Sequence, residues 1–177
     1  ALGRGGKGLY ALDVTSPSTF SKTNVLWDNT GSVAAPADMG QVLGEPLIAK
    51  MNDGTTAIIA SNGINSTSGT AALFILKLSD GSVIKELDTL ATGGNGLSAP
   101  RAWDDDGNGT VDYIYAGDMK GNLWKFDLTA ASNTGWKIAN SGSPMFVATD
   151  ASNNRQPITA GLALAKEPAT GKRWIFI

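Results

Sequence analysis

Asn122-Leu123-Trp124-Lys125-Phe126-Asp127-Leu128 alternates about a Leu-aromatic pair, the period of two that turns one face of a strand toward a core. The same short strand occurs twice more, as Gly-Leu-Tyr-Ala-Leu-Asp-Val at 8–14 and Ala-Leu-Phe-Ile-Leu-Lys-Leu at 72–78. A second strand also recurs: Thr-Ala-Ile-Ile-Ala-Ser at 56–61, Asp-Tyr-Ile-Tyr-Ala-Gly at 112–117 and Arg-Trp-Ile-Phe-Ile at 173–177. Copies return at intervals of roughly 50 to 65 residues, a spacing that belongs to blades.

Outward from these strands, the turn chemistry agrees. Asn52-Asp53-Gly54, Asp80-Gly81, Asp118 to Gly121 and Thr170-Gly171 fall between β-branched and aromatic segments, as hairpin loops do. No segment reads as a helix. The expected class is all-β, about three blades' worth of four-stranded antiparallel repeats. Residues 1–43 read as a half blade and linker, 44–97 as a blade, 98–156 as a blade with an acidic loop, and 157–177 as a half blade. The outer strand of the 98–156 blade is the loosest, running from Gly135 onward. Pro46, Pro100 and Pro157 fall at blade starts, where a missing N–H does little harm. Propellers close with about four to eight blades, so the chain is expected to be a segment of a larger one. The apolar Trp174-Ile175-Phe176-Ile177 at its end points the same way.

Composition narrows the chemistry. The 177 residues carry 14 Lys and Arg against 16 Asp and Glu, a net charge of −2. With no long basic block, nucleic acid and anionic lipid are not expected partners. No apolar run reaches the length of a membrane-spanning helix. The absence of Cys and His removes thiol nucleophiles, Cys/His zinc sites and histidine-based triads, leaving oxygen chemistry. Abundant Gly, Ser, Thr and Asn with 17% charged residues suit an exported β-rich protein.

That oxygen chemistry concentrates in Asp104-Asp105-Asp106-Gly107-Asn108-Gly109-Thr110-Val111-Asp112. Oxygen side chains stand at positions 1, 3, 5 and 9, and Thr110 offers its backbone carbonyl at position 7, the spacing of a calcium loop. Alternate residues point inward, so Asp104, Asp106, Asn108, Thr110 and Asp112 are the expected ligands of one Ca²⁺, with Asp105 outside. The loop departs from the EF-hand, because its twelfth position is Tyr115 and a strand follows. Asp112 would therefore close the site. The corresponding loops of the neighbouring blades, Asn52 to Thr55 and Glu167 to Thr170, are not metal cages; the plain alternative is an acidic Asp-Gly turn. Gly3 to Gly8 only hints at a phosphate loop, since Lys7 is followed by Gly8 and then a strand. Trp27, Trp103, Trp124, Trp136 and Trp174 are read as packing between blades.

The run Gly-Arg-Gly-Gly-Lys-Gly-Leu-Tyr-Ala-Leu-Asp-Val-Thr from Gly3, together with the stretch from Asp104 to Leu128, resembles the C-terminal propeller of the PilY/PilC family of type IV pilus tip adhesins and biogenesis factors. The resemblance implies a modified quinoprotein-like propeller with one calcium loop, whose occupancy regulates pilus extension and retraction. It also implies a bacterial surface location, at the pilus tip or outer membrane, minor pilins and other tip components as partners, and more loosely a host surface. Two rivals stay in view: a quinoprotein-like dehydrogenase propeller, and a scaffold propeller with a purely structural calcium. Without a vicinal Cys pair, and with three adjacent Asp too close to flank a sugar, no enzyme is expected.

Overall fold

The structure is a computed structural model that describes residues 6–30 and 36–177. Among the described residues, thirteen strands form four separate antiparallel sheets in chain order. The first is a pair, β1 (Tyr10–Leu12) and β2 (Val25–Asp28). The second is a meander of β3 (Leu47–Lys50), β4 (Thr56–Ser61), β5 (Ala72–Lys77) and β6 (Val83–Asp88). The third holds β7 (Arg101–Trp103), β8 (Tyr113–Gly117) and β9 (Asn122–Asp127), with β10 (Lys137–Ile138) and β11 (Phe146–Val147) both on the free edge of β9. The last is a pair, β12 (Ala163–Lys166) and β13 (Arg173–Phe176). Only short 3-10 turns interrupt the strands among the described residues.

Successive side chains leave a strand on opposite faces, so a strand between two sheets must be apolar on both. β4 and β5 obey this: Ala57, Ile59, Leu73 and Ile75 face the third sheet, where they meet Ile114, Ala116, Trp124 and Phe126. Their neighbours Ile58, Ala60, Ala72, Phe74 and Leu76 turn the other way, onto Leu9, Met39 and Val42. On the far side of the third sheet, Tyr115 and Leu123 pack on Ile158 and Leu162. Three cores therefore run between four sheets, the arrangement of stacked blades. Between blades the backbones come very close: a Cβ at Gly96 would lie 2.0 Å from the Gly63 carbonyl oxygen, so only glycine fits there.

β3 and β7 each begin one residue after Pro46 and Pro100, and β12 begins well beyond Pro157, so the strands start later than the sequence suggested. The loose outer strand is one strand broken in two. Asn140 and Ser141 at φ 52° and 55° throw the chain off the edge, and it rejoins β9 at Phe146. Trp124 and Trp136 are core residues, and Trp27 and Trp103 pack against the flanking cores. Trp174, by contrast, is half exposed. Half of the glycine-rich run that hinted at a phosphate loop, residues 3–5, lies outside the described residues.

Candidate metal centre

The acidic loop joins β7 to β8. Antiparallel pairing of Trp103 with Tyr113 pins its two ends together, and the Asp112 amide donates to the Trp103 carbonyl at 3.0 Å. Inside that closed loop, Asp104 acts as an internal cap. Its carboxylate accepts from the amides of Gly107 (2.7 Å), Asn108 (3.2 Å) and Gly109 (2.8 Å). These bonds, the Gly109 amide foremost, hold the Asp104 carboxyl below the usual carboxylate range. Gly107 and Gly109 take φ of +79° and +85°, which lets the backbone fold over the carboxylate.

One carboxylate oxygen from each of Asp104, Asp106 and Asp112 lies within 4.8 Å of the other two. Asp104 and Asp106 are exposed, whereas Asp112 is buried. Three oxygen ligands converging beside an open side fit a hard divalent cation that keeps further oxygen donors. Asn108 stands beside this group in a different posture. Its Nδ2 donates to Asp106 at 3.0 Å and its Oδ1 accepts from the Thr110 amide and hydroxyl, so it would have to turn to offer Oδ1 to an ion. Thr110 is held through its hydroxyl, whose single proton is shared between Asn108 Oδ1 and Asn52 Oδ1, the latter at 2.8 Å.

Asp105 points away from the three. Its Oδ1 accepts from the Trp103 indole at 2.9 Å and pairs with Arg173 of β13 at 2.5 Å. The indole first, and Arg173 after it, keep its carboxyl below the ordinary range. Asp112 is fixed from both sides, accepting from the Asp105 amide at 2.8 Å and from Asn52 Nδ2 at 3.2 Å.

Asn52 is the residue that sequence reading missed. It sits in the turn of the preceding sheet, yet its amide also donates to the carbonyls of Val111 (2.9 Å) and Leu128 (3.1 Å). A parallel bridge between Met51 and Val111 carries it there. The loop is thus tied to the blade before it through Asn52 and to the sheet after it through Arg173.

The chain matches the family model described as the PilY1 beta-propeller domain over residues 1–177. It belongs to the PilY1 β-propeller family. A type IV pilus biogenesis factor PilY1 homolog of Xylella fastidiosa is 41% identical to it over 96% of the chain and 12% of the relative's length. The type IV pilus biogenesis factor PilY1 of Pseudomonas aeruginosa PAO1 is 37% identical over all of the chain and 16% of its own. The crystal structure of the Pseudomonas aeruginosa PilY1 C-terminal domain superposes with a TM-score of 0.86 at 32% identity, covering 97% of the chain and 38% of that domain. The segment therefore corresponds to a small part of these PilY1 relatives, and to a portion of the solved propeller.

Proposed function

We propose that this segment is the calcium-binding part of a type IV pilus biogenesis and adhesion protein at the bacterial surface, with calcium occupancy regulating pilus extension and retraction. Its successive parts are a half blade and linker (1–43), a blade (44–97), the calcium-bearing blade (98–156) and a half blade (157–177). Asp104, Asp106 and Asp112 would hold the ion, with Asn108 Oδ1 and the Thr110 carbonyl completing the set. The observation that carries the reading is the convergence of three carboxylates in a hairpin whose ends are pinned. Minor pilins and other pilus tip components are the partners this implies, with a host surface beyond them. No catalytic role is proposed for a segment without His, Cys or a separated acid-base pair.

A second reading is favoured by the ties to Asn52 and Arg173: an ion whose work is only to brace neighbouring blades. One set of variants in the intact protein separates the two. Calorimetry should find one calcium site in this segment, weakened at least tenfold by Asp112→Ala and little changed by Asp105→Ala. Equal losses at both positions would defeat the ligand assignment. Altered pilus extension and retraction with Asp112→Ala still folded supports regulation. An Asp112→Ala protein that loses thermal stability and piliation together is a bracing ion.

A further inference from the structure

A cleft of about 700 Å³ opens at the other end of the β7–β8 hairpin, between the β6–β7 connection, the β8–β9 turn and the chain on both sides of β11. Five residues of β8 separate it from the acidic loop, about 17 Å of strand. Its walls carry two cations, Lys120 and Arg155, and no acidic side chain. Neither is in an ion pair among the described residues.

The wall behind them is fixed by a buried carboxylate. Asp118 is fully buried and accepts from the amides of Lys120 and Asn122, each at 2.9 Å. It also accepts from Asn95 Nδ2 (2.9 Å), Asn122 Nδ2 (2.7 Å) and the Trp124 indole (2.9 Å). With its Nδ2 committed to Asp118, Asn122 presents Oδ1 to Arg155 Nη1 at 2.6 Å. One corner of the guanidinium is thereby anchored, while its Nε and Nη2 donate to no group among the described residues. The Lys120 ammonium lies over Gly93, where a Cβ would come within 2.9 Å of Nζ. The amides of Thr92, Gly93 and Gly94 beside it likewise donate to nothing among the described residues.

Two cations over one buried carboxylate leave a single net positive charge, which favours a monoanion over a doubly charged phosphate. A planar carboxylate also matches the free edge of a guanidinium, with Lys120 as a second charge-assisted donor. Trp124, Met119 and Pro144 offer apolar wall, and Thr92 offers hydrogen bonds to hydroxyl groups. We propose that this cleft binds a sugar acid, a hydroxylated monocarboxylate of the uronate class, with Arg155 and Lys120 holding the carboxylate.

The test uses the intact protein that carries this segment, ligand-observed saturation-transfer NMR, and glucuronate as probe, with and without a calcium chelator. Glucuronate should receive saturation under both conditions and methyl glucoside much less, and equimolar inorganic phosphate should displace glucuronate little. Arg155→Gln and Lys120→Gln should each weaken glucuronate at least fivefold, while Lys137→Gln, a charge loss on exposed β10, should not. Arg155→Lys should recover part of the loss. Displacement of glucuronate by equimolar phosphate, or glucuronate binding unchanged in both variants, overturns the proposal. So does a fall in thermal stability in both variants without change in glucuronate binding, which would make the two cations counterweights to Asp118.

Discussion

Asn52 shows how far a single side chain can act outside its own turn. In sequence it belongs to an ordinary Asn-Asp-Gly turn, and nothing local marks it. Its function depends on the packing of one blade against the next, which no motif encodes. Removing it leaves the partly buried carbonyls of Val111 and Leu128 without their donor, at a cost of about 1 to 3 kcal/mol. Asn52→Ala should therefore lower the unfolding midpoint and also weaken calcium, because Asp112 loses one of its two supports; a variant with full calcium affinity would show that Asp105 alone positions Asp112. Glu86 gives a second prediction at this scale. Burial foremost, then the nearby carboxyls of Asp38 and Asp88, raises its pKa from 4.5 to about 7. The folded chain then holds a proton that the unfolded chain releases between these values. Stability should fall as pH rises from about 4.5 to about 7 and level off above that. Glu86→Gln should flatten that slope in urea titrations run across this window; an unchanged slope would place its origin elsewhere.

Elements were more legible than single residues. Recurring apolar runs located β4, β5, β8 and β9 because both of their faces are buried, and Asp/Gly-containing turns located the β3–β4, β5–β6 and β8–β9 hairpins. The acidic loop was legible for a related reason: a hairpin that needs no long connection has no other use for four Asp and two Gly. The outer strand of the third sheet was blurred because its pieces pair for only two residues each, with a left-handed turn between them. Nor did the sequence show that Asp105, the loop carboxylate left outside the cluster, has a partner in β13. That pair is largely exposed on the Arg173 side, so its contribution to stability is small. Its effect should be local. Arg173→Ala should speed hydrogen exchange in β12 and β13 while leaving calcium affinity within about twofold, and unchanged exchange would show that Ile158, Leu162 and Ile175 hold this seam without it.

At the scale of the whole molecule, the sheets at the two ends of the stack are unlike the two in the middle. β4 and β5 are apolar on both faces and covered on both, whereas the two-stranded end sheets leave large apolar side chains in solvent. Leu26 is 58% exposed at one end, and Phe176 and Ile177 are 59% and 61% exposed at the other. A groove lined by Leu9, Leu12, Trp27 and Ile48 runs along the first of these ends. Apolar surface of this kind ordinarily marks a buried interface. In a propeller each blade face is covered by the next, and the solved PilY1 domain that matches this chain is more than twice as long as the part matched. Further blades are expected to pack on these exposed faces. Expressed alone, the 177-residue segment should self-associate in size-exclusion chromatography and bind a hydrophobic dye, with calcium doing little to prevent either, because binding an ion in the acidic loop covers none of these exposed apolar side chains. Extending the segment to the full length of the matched domain should abolish both behaviours. A segment that stays monomeric and dye-free by itself would mean that the end sheets need no further blades to cover them.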